Sequence, residues 1–236
     1  MAPGDAAIAG LDVIEQTIRA CRECALHEGR TNAVPGQGSP NAAIMFIGEG
    51  PGFNEDKQGV PFVGAAGQFL NTLLASIGLS RETVYITNMV KCRPPNNRDP
   101  LPEETAACAH YLDAQIAAIA PKIIVPLGRH ALGRWFPNES IGRLRARPRV
   151  FDGITLFPLY HPAAALHNGD LRSTIADDFL KLGALLEDLG DVQQTPPPTP
   201  AVAPAPEPAP AEVVEAPENP TAPTAPAQPS PAVPPA

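Results

Sequence analysis

Residues 42–52 read AAIMFIGEGPG, and this stretch determines how the rest of the chain is organised. The apolar run at 42–47 predicts a short buried strand. The glycines and the proline that follow it predict a tight loop. We therefore expect a core strand that delivers a glycine-rich loop directly to its carboxyl end.

The same pattern of strand and helix recurs on both sides of this stretch. Short apolar runs predict further strands at 84–86, 123–127 and 154–159. Helical spacing predicts helices at 8–20, 68–77, 102–120 and 171–189, and a short helix after Gly128. Strands that alternate with helices predict a three-layer α/β/α domain around a central, mainly parallel, four-stranded sheet.

Three loops of unusual composition each follow one of the predicted strands. They cover residues 48–64, 88–98 and 160–168. In open parallel sheets, ligands bind beyond the carboxyl ends of the strands. We therefore expect these loops to converge on one site.

The four cysteines of the chain form a candidate metal centre. Cys21 and Cys24 form a C-x-x-C pair, and Cys92 and Cys108 complete the set. Four thiolates suit a [4Fe-4S] cluster or a structural zinc ion. A zinc ribbon usually has a second C-x-x-C pair, so the wide spacing of Cys92 and Cys108 favours the cluster. Four buried free cysteines remain the alternative.

The loop at 48–67 reads GEGPGFNEDKQGVPFVGAAG and has the composition of a binding loop. Glycines allow the backbone to approach a ligand closely. Glu49 and Glu55 add acid or base capacity, and Phe62 offers a face for stacking. A phosphate-binding loop is the competing interpretation, but the Gly-Lys-Ser/Thr signature is missing and the acids would repel phosphate.

Two polar residues follow strands at the other loops. Asn88 has an amide that offers both a donor and an acceptor, which suits the edge of a base. His161 begins the segment HPAAALHN. Taken singly, an Asn is more often a turn residue and a His more often structural, so neither decides a function.

Composition divides the chain into a body at 1–190 and a tail at 191–236. The tail holds 16 of the 31 prolines and lacks Lys, Arg, Cys and aromatic residues, which predicts disorder. It carries five acids, so the net charge of −8 leaves the body near −3. Six arginines against one acid form a local basic strip that could bind phosphate: Arg129, Arg134, Arg143, Arg145, Arg147 and Arg149.

Compartment and membrane signals are the last features that the composition addresses. No stretch is long and apolar enough to span a membrane, and the N-terminus does not have the pattern of a secretion signal. We expect a soluble, cytoplasmic protein. In that compartment, four cysteines indicate metal or redox chemistry rather than disulfides.

Together these motifs resemble the family 4 uracil-DNA glycosylases, the iron–sulfur branch of their superfamily. The resemblance covers about residues 21–189 and rests on several motifs in the same order. These are CRECAL, the loop at 48–67, TNMVKCRPPNNRDP, Cys108 and HPAAALHN. It implies an enzyme that flips uracil out of DNA and hydrolyses its N-glycosidic bond, leaving an abasic site.

The resemblance also implies roles for individual residues. Phe62 would stack on the flipped uracil, Asn88 would pair with its edge, Gly50 would line the substrate site, and His161 would act in catalysis. The four cysteines would hold a structural [4Fe-4S] cluster. The implied partner is uracil-containing DNA, single- or double-stranded, bound by a monomer, and the tail could bind a repair or replication protein.

Two departures from related enzymes bear on mechanism. Gly50 stands where better-known uracil glycosylases carry a water-activating Asp. Glu49 or Glu55 must then share that work, or electrostatics must suffice, or Glu55 instead crowds the 5-position of the base. A sister group that bonds covalently to DNA has a basic insertion after the Asn strand, and this chain lacks it, so ordinary turnover is expected.

Two other functions compete with the glycosylase. One is a non-catalytic module that binds uracil-DNA or single strands, which would not need His161 or the acids. The other is an iron–sulfur interaction domain that serves a polymerase or repair protein, for which the acidic tail is the argument.

Overall fold

A computed structural model of the chain describes residues 3–189. The predicted tail at 191–236 lies outside the described residues. In chain order the helices are α1 (Pro3–Ala20), α2 (Leu26–Gly29), α3 (Phe53–Gln58), α4 (Ala65–Ala75), α5 (Pro102–Ile119), α6 (Gly128–Gly133), α7 (Ile141–Leu144), α8 (Ala164–His167) and α9 (Leu171–Asp188). A short 3-10 helix covers Pro95–Asn97.

One mixed sheet forms the middle layer. Its strands are β1 (Gln37–Gly38), β2 (Ile44–Gly48), β3 (Tyr85–Asn88), β4 (Ile123–Pro126), β5 (Arg149–Phe151) and β6 (Ile154–Leu156). They are arranged in the order β1-β3-β2-β4-β6-β5. The four central strands are parallel, whereas β1 and β5 pair antiparallel at the two edges.

The predicted sheet was therefore right in its parallel centre and two strands too small. Every residue of β2, β3 and β4 is buried, and the apolar runs that this burial requires are what predicts these strands. The edge strand β1 has only two residues, and all three residues of β5 are exposed. Neither edge strand buries a face that could impose a hydrophobic pattern on the sequence.

The two faces of the sheet carry separate cores, which makes the domain three-layered. Along β2, Ile44 and Phe46 pack into one core with residues of α4 and α9, and Phe46 stacks on Phe179 with 6.0 Å between ring centroids. Met45 and Ile47 point to the opposite core, formed with α1 and α5. A strand buried on both faces in this way confirms the predicted α/β/α class.

The long helices lie where the periodicity predicts them, the short helix predicted after Gly128 is α6, and the other short helices are additions. α3 lies inside the loop that was expected to be glycine-rich coil, and Gly59 ends it in a left-handed conformation with φ 70°. α7 and α8 are single turns of four residues. Among residues 3–189, no helix is long and apolar enough to cross a membrane.

Candidate active site

A cleft of about 710 Å³ opens at the carboxyl edge of the sheet. Residues from all three predicted loops line it, so their convergence is confirmed. The lining includes every residue predicted for catalysis or substrate binding: Glu49, Gly50, Glu55, Phe62, Asn88 and His161. What the sequence scatters over more than a hundred positions thus forms one site.

Asn88 is the last residue of β3 and lies at the floor of the cleft. Its side chain is buried, and its Oδ1 atom has no hydrogen-bond partner among the described residues. A buried carbonyl oxygen without a partner is costly, so it points to a donor that arrives with a ligand. The main-chain carbonyl of Asn88 is held by Lys91 Nζ at 2.8 Å.

Phe62 is buried beside Asn88 in a backbone conformation that aromatic residues rarely adopt. Its φ is 54°, in the left-handed region. Arg81 holds this turn, because its Nη1 donates to Phe62 O at 3.0 Å and its Nη2 donates to Pro61 O at 2.6 Å. Arg81 lies far from the loop in sequence and belongs to no recognisable motif, so sequence reasoning missed it.

Glu55 holds the same turn from the other side. Its Oε1 accepts hydrogen bonds from the backbone N–H groups of Val63 and Gly64, both at 2.9 Å. The carboxylate therefore fixes the segment that carries Phe62, which is a positioning task that sequence reasoning did not foresee. Glu55 still lines the cleft.

Gly48 explains why this site tolerates no side chain at the end of β2. A Cβ atom there would collide with Asn88 Oδ1 and would lie 2.7 Å from Phe62 Cζ. The missing side chain leaves the aromatic ring and the amide beside one another. At Gly50 a Cβ would lie 2.8 Å from Val90 Cγ2, so packing restricts a side chain at that position as well.

His161 follows β6 and stacks on Phe62, with 5.4 Å between ring centroids. Its Nδ1 accepts the backbone N–H of Ala163 at 3.1 Å, which places the proton of the neutral ring on Nε2. Burial lowers the pKa of His161 to about 4, against a smaller opposing effect of Glu55. The site therefore contains a neutral imidazole with one N–H to donate.

The mouth of the cleft carries a cluster of charges around Glu49. His130 Nε2 lies 3.6 Å from Glu49 Oε2 and 3.2 Å from Asp99 Oδ2, and Arg129 also pairs with Asp99. Burial raises the pKa of Glu49, and the neighbouring His130 acts in the opposite direction. His130, in α6, and Asp99, in a loop, were not predicted, since an isolated charged residue carries no sequence pattern.

The four cysteines come together at a second site, formed by the segment after α1, the segment after β3 and α5. They line one small cavity together with Ile18 and Tyr111. Arg30 Nη1 donates to Cys92 Sγ at 2.9 Å, and the backbone N–H of Lys91 donates to Cys108 Sγ at 3.3 Å. Hydrogen bonds to sulfur are a feature of cluster ligands, so the residues present fit a thiolate-bound centre.

Lys91 lies between the base pocket and the cysteines and is fully buried. Its ammonium donates to Thr87 Oγ1 at 2.7 Å, to Gln115 Oε1 at 2.7 Å and to the Asn88 carbonyl. Burial lowers the pKa of Lys91 to about 7, while the sulfur of Cys108 raises it. This network ties the end of β3 to the segment that carries Cys92.

The predicted basic strip is mostly engaged with acids of the protein itself. Its four paired arginines meet these partners: Arg129 with Asp99, Arg134 with Asp113, Arg143 with Glu139, and Arg145 with Asp178. Asp178 is buried, so Arg145 has a structural task. The prediction that the whole strip binds phosphate is weakened accordingly.

Similarity to known proteins agrees with this geometry. Residues 35–183 match the uracil DNA glycosylase superfamily. The chain is 51% identical over 185 residues to a type-4 uracil-DNA glycosylase of Sulfurisphaera tokodaii, covering 74% of this chain and 84% of the relative. It is 43% identical to the type-4 uracil-DNA glycosylase of Thermotoga maritima, over 76% and 96% of the two chains.

Similarity extends to another branch at lower coverage. A type-5 uracil-DNA glycosylase of Thermus thermophilus is 37% identical over 149 residues, which cover 50% of this chain and 68% of the relative. The chain therefore belongs to the uracil-DNA glycosylase superfamily and, within it, to the type-4 enzymes. The family resemblance that the sequence motifs indicate is thereby confirmed.

Proposed function

We propose that the cleft receives a uracil extruded from DNA and hydrolyses its N-glycosidic bond, leaving an abasic site for repair. The observation that carries this proposal is the unpartnered Oδ1 of Asn88, buried beside the ring of Phe62. A flat ring with an N–H on its edge satisfies both groups at once. Enzymes that act on a base must take it out of the stack, and the cleft is open to receive it.

Recognition follows from the atoms that uracil presents. Its N3–H donates to Asn88 Oδ1, while its adjacent O4 accepts. Cytosine has an unprotonated N3 beside an amino group, so it would leave the Asn88 carbonyl oxygen facing a lone pair. Sites that hydrogen-bond one pattern reject its opposite strongly, because the rejected base leaves buried groups unpaired.

Catalysis centres on the negative charge of the departing base. As the glycosidic bond breaks, electrons move onto uracil and its O2 becomes anionic. The Nε2–H of neutral His161 donates a hydrogen bond to that oxygen, and this hydrogen bond becomes stronger as the negative charge develops. Stacking on Phe62 holds the His161 imidazole in place in the cleft.

The two carboxylates take different tasks in this proposal. Glu49 lines the cleft with a raised pKa, so it is the better base and orients the attacking water. One oxygen of Glu55 accepts the hydrogen bonds of the turn that carries Phe62, so Glu55 acts as a positioning residue. Both negative charges favour the oxocarbenium-like sugar.

The four cysteines hold a [4Fe-4S] cluster in this proposal. The four side chains line one cavity, and two of their sulfurs, in Cys92 and Cys108, accept hydrogen bonds, which supports a thiolate-bound centre. The wide spacing of Cys92 and Cys108 in the sequence favours a cluster over a zinc ribbon. The four cysteines would hold it between the segment after α1, the segment after β3 and α5, and it would tie these segments together beside the base pocket.

The wider setting is proposed on similar grounds. One chain supplies every residue named for the site, which supports a monomer acting on single- or double-stranded DNA. Four cysteines without a disulfide among them fit a reducing, cytoplasmic compartment. A repair or replication partner for residues 191–236 stays a prediction.

Cleavage of a single-uracil oligonucleotide tests the proposed function. Incubation followed by alkali should break the strand only at uracil, and Asn88→Ala should nearly abolish the product. A protein that binds the oligonucleotide without cleaving it would instead be the non-catalytic module. A protein that neither binds nor cleaves would be an interaction domain.

Metal content tests the cluster separately. Protein purified without oxygen should be brown, with broad visible absorption and about four irons per chain. Cys92→Ser should lower the iron content, whereas an exposed control such as Ser173→Ala should retain it. Stoichiometric zinc without iron would contradict the cluster.

A further inference from the structure

An exposed aromatic ring next in the chain to the cleft lining has no part in the proposed reaction. Phe53 is the first residue of α3 and is 49% exposed. It directly follows Gly52, which lines the cleft. Single exposed apolar side chains are common, so exposure alone indicates nothing.

The surroundings of Phe53 set it apart. Lys57 Nζ lies 4.5 Å from the ring centroid, and the guanidinium carbon of Arg93 lies 5.1 Å from it. Arg93 is itself oriented, because its Nε donates to Asn97 Oδ1 at 2.7 Å. Asn97 lines the cleft, as do Pro94, next to Arg93 in the chain, and Gly52, next to Phe53, so the ring and its cations lie directly beside the cleft lining.

Both cations lack an acidic partner. Within residues 3–189, neither Lys57 nor Arg93 forms an ion pair with a carboxylate, in contrast to four arginines of the basic strip. The acids of α3 are engaged elsewhere: Glu55 with the 63–64 turn and Asp56 with the backbone of Thr31. Two positive charges beside a ring are thus left for an external anion.

We infer that Phe53, Lys57 and Arg93 bind the nucleotide next to the flipped uracil, with its base on the ring and its phosphate between the cations. The inference rests on the cleft being the uracil pocket. An aromatic face combined with cations is the combination by which proteins hold single-stranded DNA. Any base can stack, so the platform adds affinity without reading sequence.

A cycle of paired deletions tests the platform. The probe is a single-stranded oligonucleotide with a 2′-fluorinated, non-cleavable deoxyuridine, whose 5′ or 3′ neighbour keeps its base or is replaced by an abasic spacer. With the wild type, removing the base on one of the two sides should weaken binding about 5- to 150-fold, the range of one stacked base. Phe53→Ala should bind as weakly, and the same base removal should then cost it nothing more.

Matched variants separate the platform from general damage. Phe151 is also exposed, at 42%, but it lies in the edge strand β5 and has no cation over its ring among the described residues, so Phe151→Ala should keep both affinities. Phe53→Trp should restore sensitivity to the flanking base. Lys57→Gln should reduce the salt slope of single-strand binding by about 0.7, the value of one phosphate contact.

Several outcomes would overturn the inference. One is that Phe53→Ala and Phe151→Ala bind the oligonucleotide equally well. Another is that the loss from Phe53→Ala and the loss from removing the neighbouring base are additive, both for the 5′ neighbour and for the 3′ neighbour. Failure of the underlying pocket looks different: Phe62→Ala and Asn88→Ala would then leave uracil cleavage unchanged, whatever the cycle shows. A loss of affinity for free uracil in Phe53→Ala would place the ring in the base pocket and would also contradict the platform.

Discussion

At the scale of single residues, the site depends on polar groups whose partners are fixed by neighbours in the fold. Asn88 and His161 were predictable, because they follow strands in motifs that resemble a known family. Arg81 was not, since the carbonyls it holds lie 19 and 20 residues earlier in the chain. The role of Lys91 was not predictable either, since its burial depends on packing against Gln115 of α5. A sequence shows which side chains follow a strand but not which backbone carbonyl a distant cation will hold.

His161 is expected to stay neutral over the working range of pH. Its pKa is lowered to about 4, so no inflection of the single-turnover rate between about pH 5.5 and pH 8 should come from its protonation. The unfolded chain takes up this proton near pH 6.5 and the folded one does not, so stability falls as pH drops from about 6.5 toward 4. Imidazole NMR, assigned with His161→Gln, measures the titration, and a midpoint near 6.5 would contradict it.

Lys91 is expected to matter for stability through its hydrogen bonds. Lys91→Met would leave the Asn88 carbonyl and the Gln115 side chain buried with one partner fewer. We expect the free energy of unfolding to drop by about 2–4 kcal/mol in urea titrations of the metal-loaded protein. Lys181→Met, which removes an exposed partner of Asp178, should cost less than about 1 kcal/mol. Unfolding of Lys91→Met at the wild-type urea concentration would show that the network is dispensable.

At the scale of secondary structure, burial decides what a sequence can predict. The four parallel strands were predicted because β2, β3 and β4 are buried throughout and β6 leads into the buried run at 156–159. The edge strands and the single-turn helices α7 and α8 were not, because short exposed elements impose no periodicity. α3 was missed for another reason: the glycines around it mark a loop, and the six residues between them are mostly polar.

The end of β2 offers a test of how closely the elements must approach. Gly48→Ala should push Phe62 and Asn88 apart, because its Cβ has no space between them. We expect the single-turnover rate to fall by about two decades while circular dichroism stays native. Gly133→Ala in α6 meets nothing within 4 Å and should keep full activity. Equal rates for the two variants would show that the pocket has room to spare.

At the scale of the whole molecule, a compact α/β/α body contains both proposed sites. The α/β/α class, the parallel centre of the sheet and the convergence of the predicted site residues followed from the sequence, whereas the ion pairs that engage the arginine strip did not. Charge along a sequence cannot reveal pairing, because Arg145 and Asp178 are brought together only by the folding of α9 beside α7.

Residues 191–236 are expected to be dispensable for chemistry. They contain no basic or aromatic residue that could grip DNA. Protein truncated after residue 190 should excise uracil from short oligonucleotides at close to the full-length rate. A large loss of turnover would show that the tail belongs to the catalytic unit.

The central claim is that Asn88 reads the base and His161 stabilises the anion that leaves. Single-turnover cleavage, combined with binding to a non-cleavable uracil analogue, tests it most directly. His161→Ala should slow cleavage by about two to three decades with binding nearly intact. Asn88→Ala should lose a similar factor, about 2–4 kcal/mol, and relax discrimination against cytosine. If His161→Ala lost binding but cleaved normally once saturated, the assignment would be wrong and Glu49 would become the main catalytic candidate.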